Sequence, residues 1–108
     1  MTTQLTDPAE NDFVPSLEVH LEVLGSGCVL ILDGILCATS IAALEAQVDQ
    51  LGWLPCVDVT VDLGALRALD DTGARVLAGL HHYVLGRGGR FRIAGAAADI
   101  AATLAPYV

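Results

Sequence analysis

From Leu17 the chain alternates: Leu17, Val19, Leu21 and Val23 are separated by Glu18, His20 and Glu22. A period of two predicts a half-buried strand. Gly25-Ser26-Gly27 supplies turn chemistry, and Cys28-Val29-Leu30-Ile31-Leu32 then predicts a second, more buried strand running back as the other arm of a hairpin. Asp33-Gly34 is expected to end it. Ile35 to Ala38 leads to Thr39 and Ser40, either of which can cap a helix. That helix would turn Ile41, Leu44, Val48 and Leu51 to one side and Glu45, Gln47, Asp49 and Gln50 to the other, until Gly52 closes it. Trp53-Leu54-Pro55 reads as a connector, with Trp53 a lid on the core.

The alternation returns at Val57, Val59, Val61 and Leu63, interleaved with Asp58, Thr60 and Asp62. One face of this strand is apolar and the other acidic, so helices should not cover both faces of the sheet along its length. Gly64 to Leu69 leads into Asp70-Asp71-Thr72-Gly73, and from Gly73 to about Leu85 the spacing of Val76, Leu77, Leu80 and Val84 predicts a helix with Arg75 and His82 outward. Gly86-Arg87-Gly88-Gly89 stops it, Arg90 to Ala94 forms a strand with Phe91 and Ile93 inward, and the alanine-rich stretch from Ala96 to Leu104 forms a last helix that leans on the body. The predicted fold is α/β: a small mixed β-sheet with helices mainly on one face, in the order β-β-α-β-α-β-α. Its opening hairpin is antiparallel and its strand-helix-strand units are parallel.

Composition narrows the picture. The 108 residues suit one domain, and 54% hydrophobic against 17% charged residues predicts a packed body. Residues 1–16, with Pro8, Pro15 and several acidic groups, read as a mobile acidic tail, leaving 17–108 as the folded domain. That tail lacks the basic and apolar parts of a signal peptide, no apolar run nears the roughly 20 residues that span a bilayer, and a cytoplasmic protein without membrane insertion is expected. A net charge of −8 leaves no basic surface for a phosphate backbone, so nucleic acid is not an expected partner. Cys28, Cys37 and Cys56 lack metal-ligand spacing and are expected as buried, reduced thiols.

Most candidate chemistry fails on spacing. The glycines around Gly88 follow a helix and precede a strand, the wrong order for a phosphate cradle. His81 and His82 diverge by about 100° on a helix and cannot share an ion; one should sit at the edge of the core and one in solvent. Asp70 and Asp71 beside Thr72 have no nearby histidine or lysine to complete a triad, so no enzyme, cofactor or metal site is expected. What remains is Thr72 itself, placed where an N-cap belongs. Its hydroxyl would lie at the positive end of a helix dipole, where a phosphate is electrostatically tolerated.

The element order and three segments together resemble the STAS domain of bacterial anti-sigma factor antagonists. The segments are Asp33-Gly34-Ile35-Leu36, the run Val59 to Leu63 leading to Leu69-Asp70-Asp71-Thr72-Gly73, and Gly88 to Gly95. The resemblance implies a protein that binds an anti-sigma factor, a serine-threonine kinase of the histidine-kinase-like ATPase type, and so frees a sigma factor. ATP would belong to that partner. It implies Thr72 as the phosphoacceptor, since it stands just before the motif's glycine, with Asp70 as the motif's leading aspartate. The partner surface would comprise Asp33, Gly34, Leu36, Cys37, Leu69, Asp70, Asp71, Gly73 and Arg75. STAS domains also serve, without phosphate, as accessory subunits of lipid-transport ATPases and as scaffold parts of stress-signalling assemblies.

Overall fold

The computed structural model describes residues 16–25, 27–51 and 57–108. The expected acidic tail, apart from Ser16, and the expected connector at 52–55 lie outside the described residues, as does Cys56. The elements are β1 (Leu17–Leu24), β2 (Gly27–Leu36), α1 (Ile41–Leu51), β3 (Asp58–Leu69), α2 (Asp71–Gly86), β4 (Phe91–Ala94) and α3 (Ala98–Leu104). The strands lie in the order β1-β2-β3-β4. β1 pairs antiparallel with β2, and the two remaining pairings are parallel, as two strand-helix-strand crossovers require.

Most of the alternating residues sort as expected, but Val23 near the end of β1 and Val57, just ahead of β3, are exposed. Cys28, Leu30, Leu32 and Leu36 of β2 and Val59, Val61, Leu63 and Leu66 of β3 are buried under the helices. From above they meet Leu44 of α1, Ala74, Leu77, Leu80 and Val84 of α2, and Ile100 and Leu104 of α3. Leu30, Leu32, Leu36, Leu44, Leu63 and Leu77 are each under 2% exposed, and each such side chain contributes roughly 1.5–3 kcal/mol by leaving water. On the opposite sheet face, Glu18 pairs with Asp33, and Glu22, Val29, Thr60 and Arg92 form a cross-strand row that no helix covers. Val76, expected in the buried stripe of α2, is only partly buried, while Gly73 and Ala74 complete that stripe. α3 begins at Ala98 rather than Ala96. His81 is half-buried, with its ring 5.0 Å from that of Phe91, and His82 is exposed.

Three expectations need correction. The second strand does not end at Asp33-Gly34; it runs on to Leu36, because Gly34 takes a positive φ of 122° that keeps the ladder going, and a Cβ there would lie 2.3 Å from the Ser16 carbonyl oxygen. Nor does the third strand stop at Leu63. It reaches Leu69 through register shifts opposite Ile31/Asp33 and Gly34/Ile35, each of which gives β3 one extra residue. The inward positions therefore step from Leu63 to Leu66 to Leu69 in threes. Finally, Cys28 is disulfide-bonded rather than reduced; Cys37 is a free, half-buried thiol.

Candidate functional site

The site forms where β2 and β3 end side by side, at the Leu36–Leu69 pair, and hand the chain to two loops. After β2, Cys37 to Ser40 folds into a tight turn, with the N–H groups of Ser40 and Ile41 both donating to the Cys37 carbonyl at 3.0 Å. Ser40 is 7% exposed. Its hydroxyl donates to the Ile35 carbonyl at 2.7 Å and accepts the Cys37 N–H at 3.0 Å, so it braces the turn rather than capping α1. Thr39 is exposed, with Oγ1 3.2 Å from Cys37 Sγ. That hydroxyl is the largest influence on the Cys37 thiol, holding it below the ordinary thiol range; partial burial opposes it, and the Ser40 hydroxyl and the N–H groups of Thr39 and Ser40 reinforce it.

After β3 the chain enters α2 at once, and the cap is Asp70, not Thr72. Asp70 has an extended backbone, and its Oδ1 accepts the Gly73 N–H at 2.8 Å, the bond an N-cap side chain makes to the third helical residue. Asp71 and Thr72 are thus the first and second residues of the helix. The expectation placed the cap two residues late because aspartate and threonine are both good caps and the sequence offers one at each position. Two further bonds tie the entry to the first loop. The Asp70 N–H donates to the Leu36 carbonyl at 3.2 Å, and Asp70 Oδ2 accepts the Ala38 N–H at 3.2 Å. One aspartate therefore caps α2 and fixes the other loop against it.

The site residues expected from the sequence divide into three groups. Asp70, Asp71 and Arg75 are exposed, and Thr72, Cys37 and Leu69 are half-buried. Thr72 is half-buried in the first turn of α2, and no hydrogen bond ties its hydroxyl to another group among the described residues. Arg75 follows it by three positions and so lies on the same side of α2. Leu36, at 0% exposure, and the buried Gly34 and Gly73 offer no side-chain surface and instead shape the loops. At Gly73 a Cβ would lie 2.7 Å from the Leu36 carbonyl oxygen and 2.8 Å from Leu69 Cδ1, so only glycine lets α2 start this close to β2. Asp33 is exposed on the uncovered sheet face, turned away from α2 by the alternation of β2. The bracing role of Ser40 was hidden in the sequence, where a serine before a helix is indistinguishable from a cap.

Among the described residues no group of three or more His, Cys, Asp or Glu side chains is arranged to hold a metal ion, and no helix is long and apolar enough to cross a membrane. The arrangement is a rim formed by the Cys37–Ser40 turn and the start of α2, with a hydroxyl and three charges on it.

Comparison with known proteins agrees with this geometry. A family model described as "Mlab, STAS domain" matches residues 19–107, and the chain belongs to the STAS domain family. Among solved structures, the anti-sigma factor antagonist SpoIIAA in its unphosphorylated form superposes with a TM-score of 0.69 at 16% identity, covering 82% of this chain and 84% of that one. An anti-sigma factor antagonist from Mycobacterium paratuberculosis gives a TM-score of 0.65 at 21% identity over 71% of this chain and 65% of its own. The STAS domain of an antisigma-factor antagonist from Rhodobacter sphaeroides gives 0.58 at 20% identity, over 73% and 86%. At these identities the likeness is one of fold. No curated protein matches the sequence.

Proposed function

We propose that this STAS domain is an anti-sigma factor antagonist, a non-enzymatic cytoplasmic binding module switched by phosphorylation at Thr72. The observation that carries this reading is the double use of Asp70, which locks the Cys37–Ser40 turn to the start of α2 and so holds Thr72 on a preformed rim with Asp71 and Arg75. In the unphosphorylated state this rim docks on a kinase-type anti-sigma factor. The partner supplies ATP; its γ-phosphoryl group passes to Thr72 Oγ1, the hydroxyl proton leaves to a base of the kinase, and ADP departs. The helix terminus tolerates the phosphate, but the dianion then stands beside the carboxylates of Asp70 and Asp71. Desolvating that cluster in the interface costs enough to release the complex.

The test is direct. Incubation with the candidate kinase and ATP should add the mass of one phosphate to the protein but not to Thr72→Ala. Thr72→Ala should bind the kinase and stay bound when ATP is added, whereas Thr72→Glu should bind poorly. Equal affinity of the two variants for the kinase would count against the switch. A second reading, an accessory or scaffold subunit of a lipid-transport ATPase or stress-signalling assembly, draws support from the groove along α2 described next, which offers a docking face that needs no phosphate. Co-purification with a transporter ATPase and no mass shift would favour that reading.

A further inference from the structure

α1 packs chiefly against β1 and touches α2 only lightly. Between the two helices runs an open groove of about 660 Å3. Its floor is Val48 of α1 with Val76 and Leu80 of α2, and its α1 wall carries Glu45 and Asp49. Those two carboxylates are four residues apart and share one side of the helix. Neither has a cationic partner among the described residues. Tyr83 closes one end, its ring under the Arg87 guanidinium at 5.3 Å from the centroid.

Gly79 forms the gap in the α2 wall. It is exposed, lies in the middle of a 16-residue helix and has no positive φ, and a Cβ added there would meet nothing within 4 Å. Neither backbone nor packing calls for a glycine, which weakens a helix interior. What the missing side chain does is keep the groove open. Thr72, Val76, Gly79 and Tyr83 follow one another by four, three and four residues, so the groove continues the stripe of α2 that begins at Thr72.

We infer that this groove docks a basic amphipathic segment of the protein partner, with an apolar side chain seated over Gly79 and lysine or arginine groups against Glu45 and Asp49. The inference rests on the reading of the domain as a docking module and names the chemistry of what it grips. Charge selects this occupant over two others. Residues 1–15 of the chain carry Asp7, Glu10 and Asp12 and no lysine or arginine, so they would meet the acidic wall with like charge. A second copy would bring a net charge of −8 against −8.

The experiment is an NMR titration of the isotope-labelled full chain with a synthetic amphipathic leucine-lysine helix of about five turns. Two controls accompany it: the same peptide with glutamate for lysine, and a scrambled leucine-lysine peptide of equal charge. Chemical shifts should move at Glu45, Val48, Asp49, Val76 and Gly79 with the amphipathic basic peptide alone. Gly79→Leu, which fills empty space and improves helix propensity, and the double variant Glu45→Lys/Asp49→Lys should each weaken binding roughly tenfold or more, about 1.4 kcal/mol. Equal binding of the scrambled peptide, shifts spread over the uncovered sheet face, or indifference to Gly79→Leu would overturn the inference. So would a dimer in light scattering that Gly79→Leu dissolves, which would assign the groove to a second copy. Gly79→Leu leaves the Thr72 hydroxyl in place. Failure here with normal phosphoryl transfer to Thr72 therefore defeats the groove alone, while failure of transfer with peptide binding intact defeats the switch alone.

Discussion

Ala38 and Asp70 lie 32 positions apart in the sequence and are joined by one hydrogen bond, from the Ala38 N–H to Asp70 Oδ2 at 3.2 Å. Its other carboxylate oxygen accepts the Gly73 N–H at 2.8 Å, so removing this side chain strips two backbone donors of their acceptor at once. Asp70→Ala should destabilise the domain by about 1–2 kcal/mol, the range for a lost N-cap, and Asp70→Asn should recover part of it through its remaining carbonyl oxygen. Thr72→Ala should cost less than about 0.5 kcal/mol, as a substitution outside any cap or buried network does. Urea denaturation midpoints of the three variants check the order; a larger loss for Thr72→Ala would return the capping role to the threonine.

Two glycines on α2 should respond to alanine in opposite directions. At Gly73 the added methyl meets the Leu36 carbonyl oxygen at 2.7 Å, and the resulting backbone shift should cost about 1–3 kcal/mol. At Gly79 it meets nothing, and the better helix former should stabilise by up to about 1 kcal/mol. Thermal melts of Gly73→Ala and Gly79→Ala decide this, and a destabilised Gly79→Ala would mean that the open space is already used within the fold.

Asp71 places a permanent charge next to the acceptor threonine. If charge at this rim is what loosens the partner, Asp71→Asn should tighten binding of the unphosphorylated domain to its kinase by about two- to fivefold, the scale of one exposed charge pair. Calorimetric titration at low and moderate salt measures it, and an unchanged affinity would exclude a charge-based release.

The Cys37 thiol, with the Thr39 hydroxyl 3.2 Å away, ionises more readily than an ordinary thiol. Its folded pKa lies below the unfolded one, so the thiolate fraction at neutral pH is raised in the native protein and lost as pH falls through the folded value. Alkylation by iodoacetamide should therefore be faster for the native domain than for the denatured chain near pH 7. Thr39→Val should shift the rate profile toward higher pH. A profile that does not move would remove the hydroxyl as the cause.

How much of this was legible in the sequence depended on periodicity. The period-two runs at Leu17–Val23 and Val57–Leu63 and the stripe Leu77, Leu80, Val84 were enough to order the elements and orient the sheet. What hid was irregular. The spacing Leu63, Leu66, Leu69 resembles a helical turn or a loop as much as a bulged strand, and only pairing with β2 reveals it. Asp70 and Thr72 are both good helix caps, and the choice was made by the Ala38 and Gly73 N–H groups, which no local pattern announces. The groove was invisible because its walls come from helices whose separation is set by the strands beneath them.

β3 spends 12 residues, Asp58–Leu69, to span the same distance that β2 covers in 10, Gly27–Leu36, and both finish level. The surplus sits as one extra residue at each of two bulges, so the slack is local. Excising the extra residue at either bulge would restore a regular ladder beside β2 and leave Leu69 opposite Leu36, with Asp70 still in reach of Ala38. The junction on which the rim depends is thus buffered against single-residue trimming by length held in reserve upstream of it.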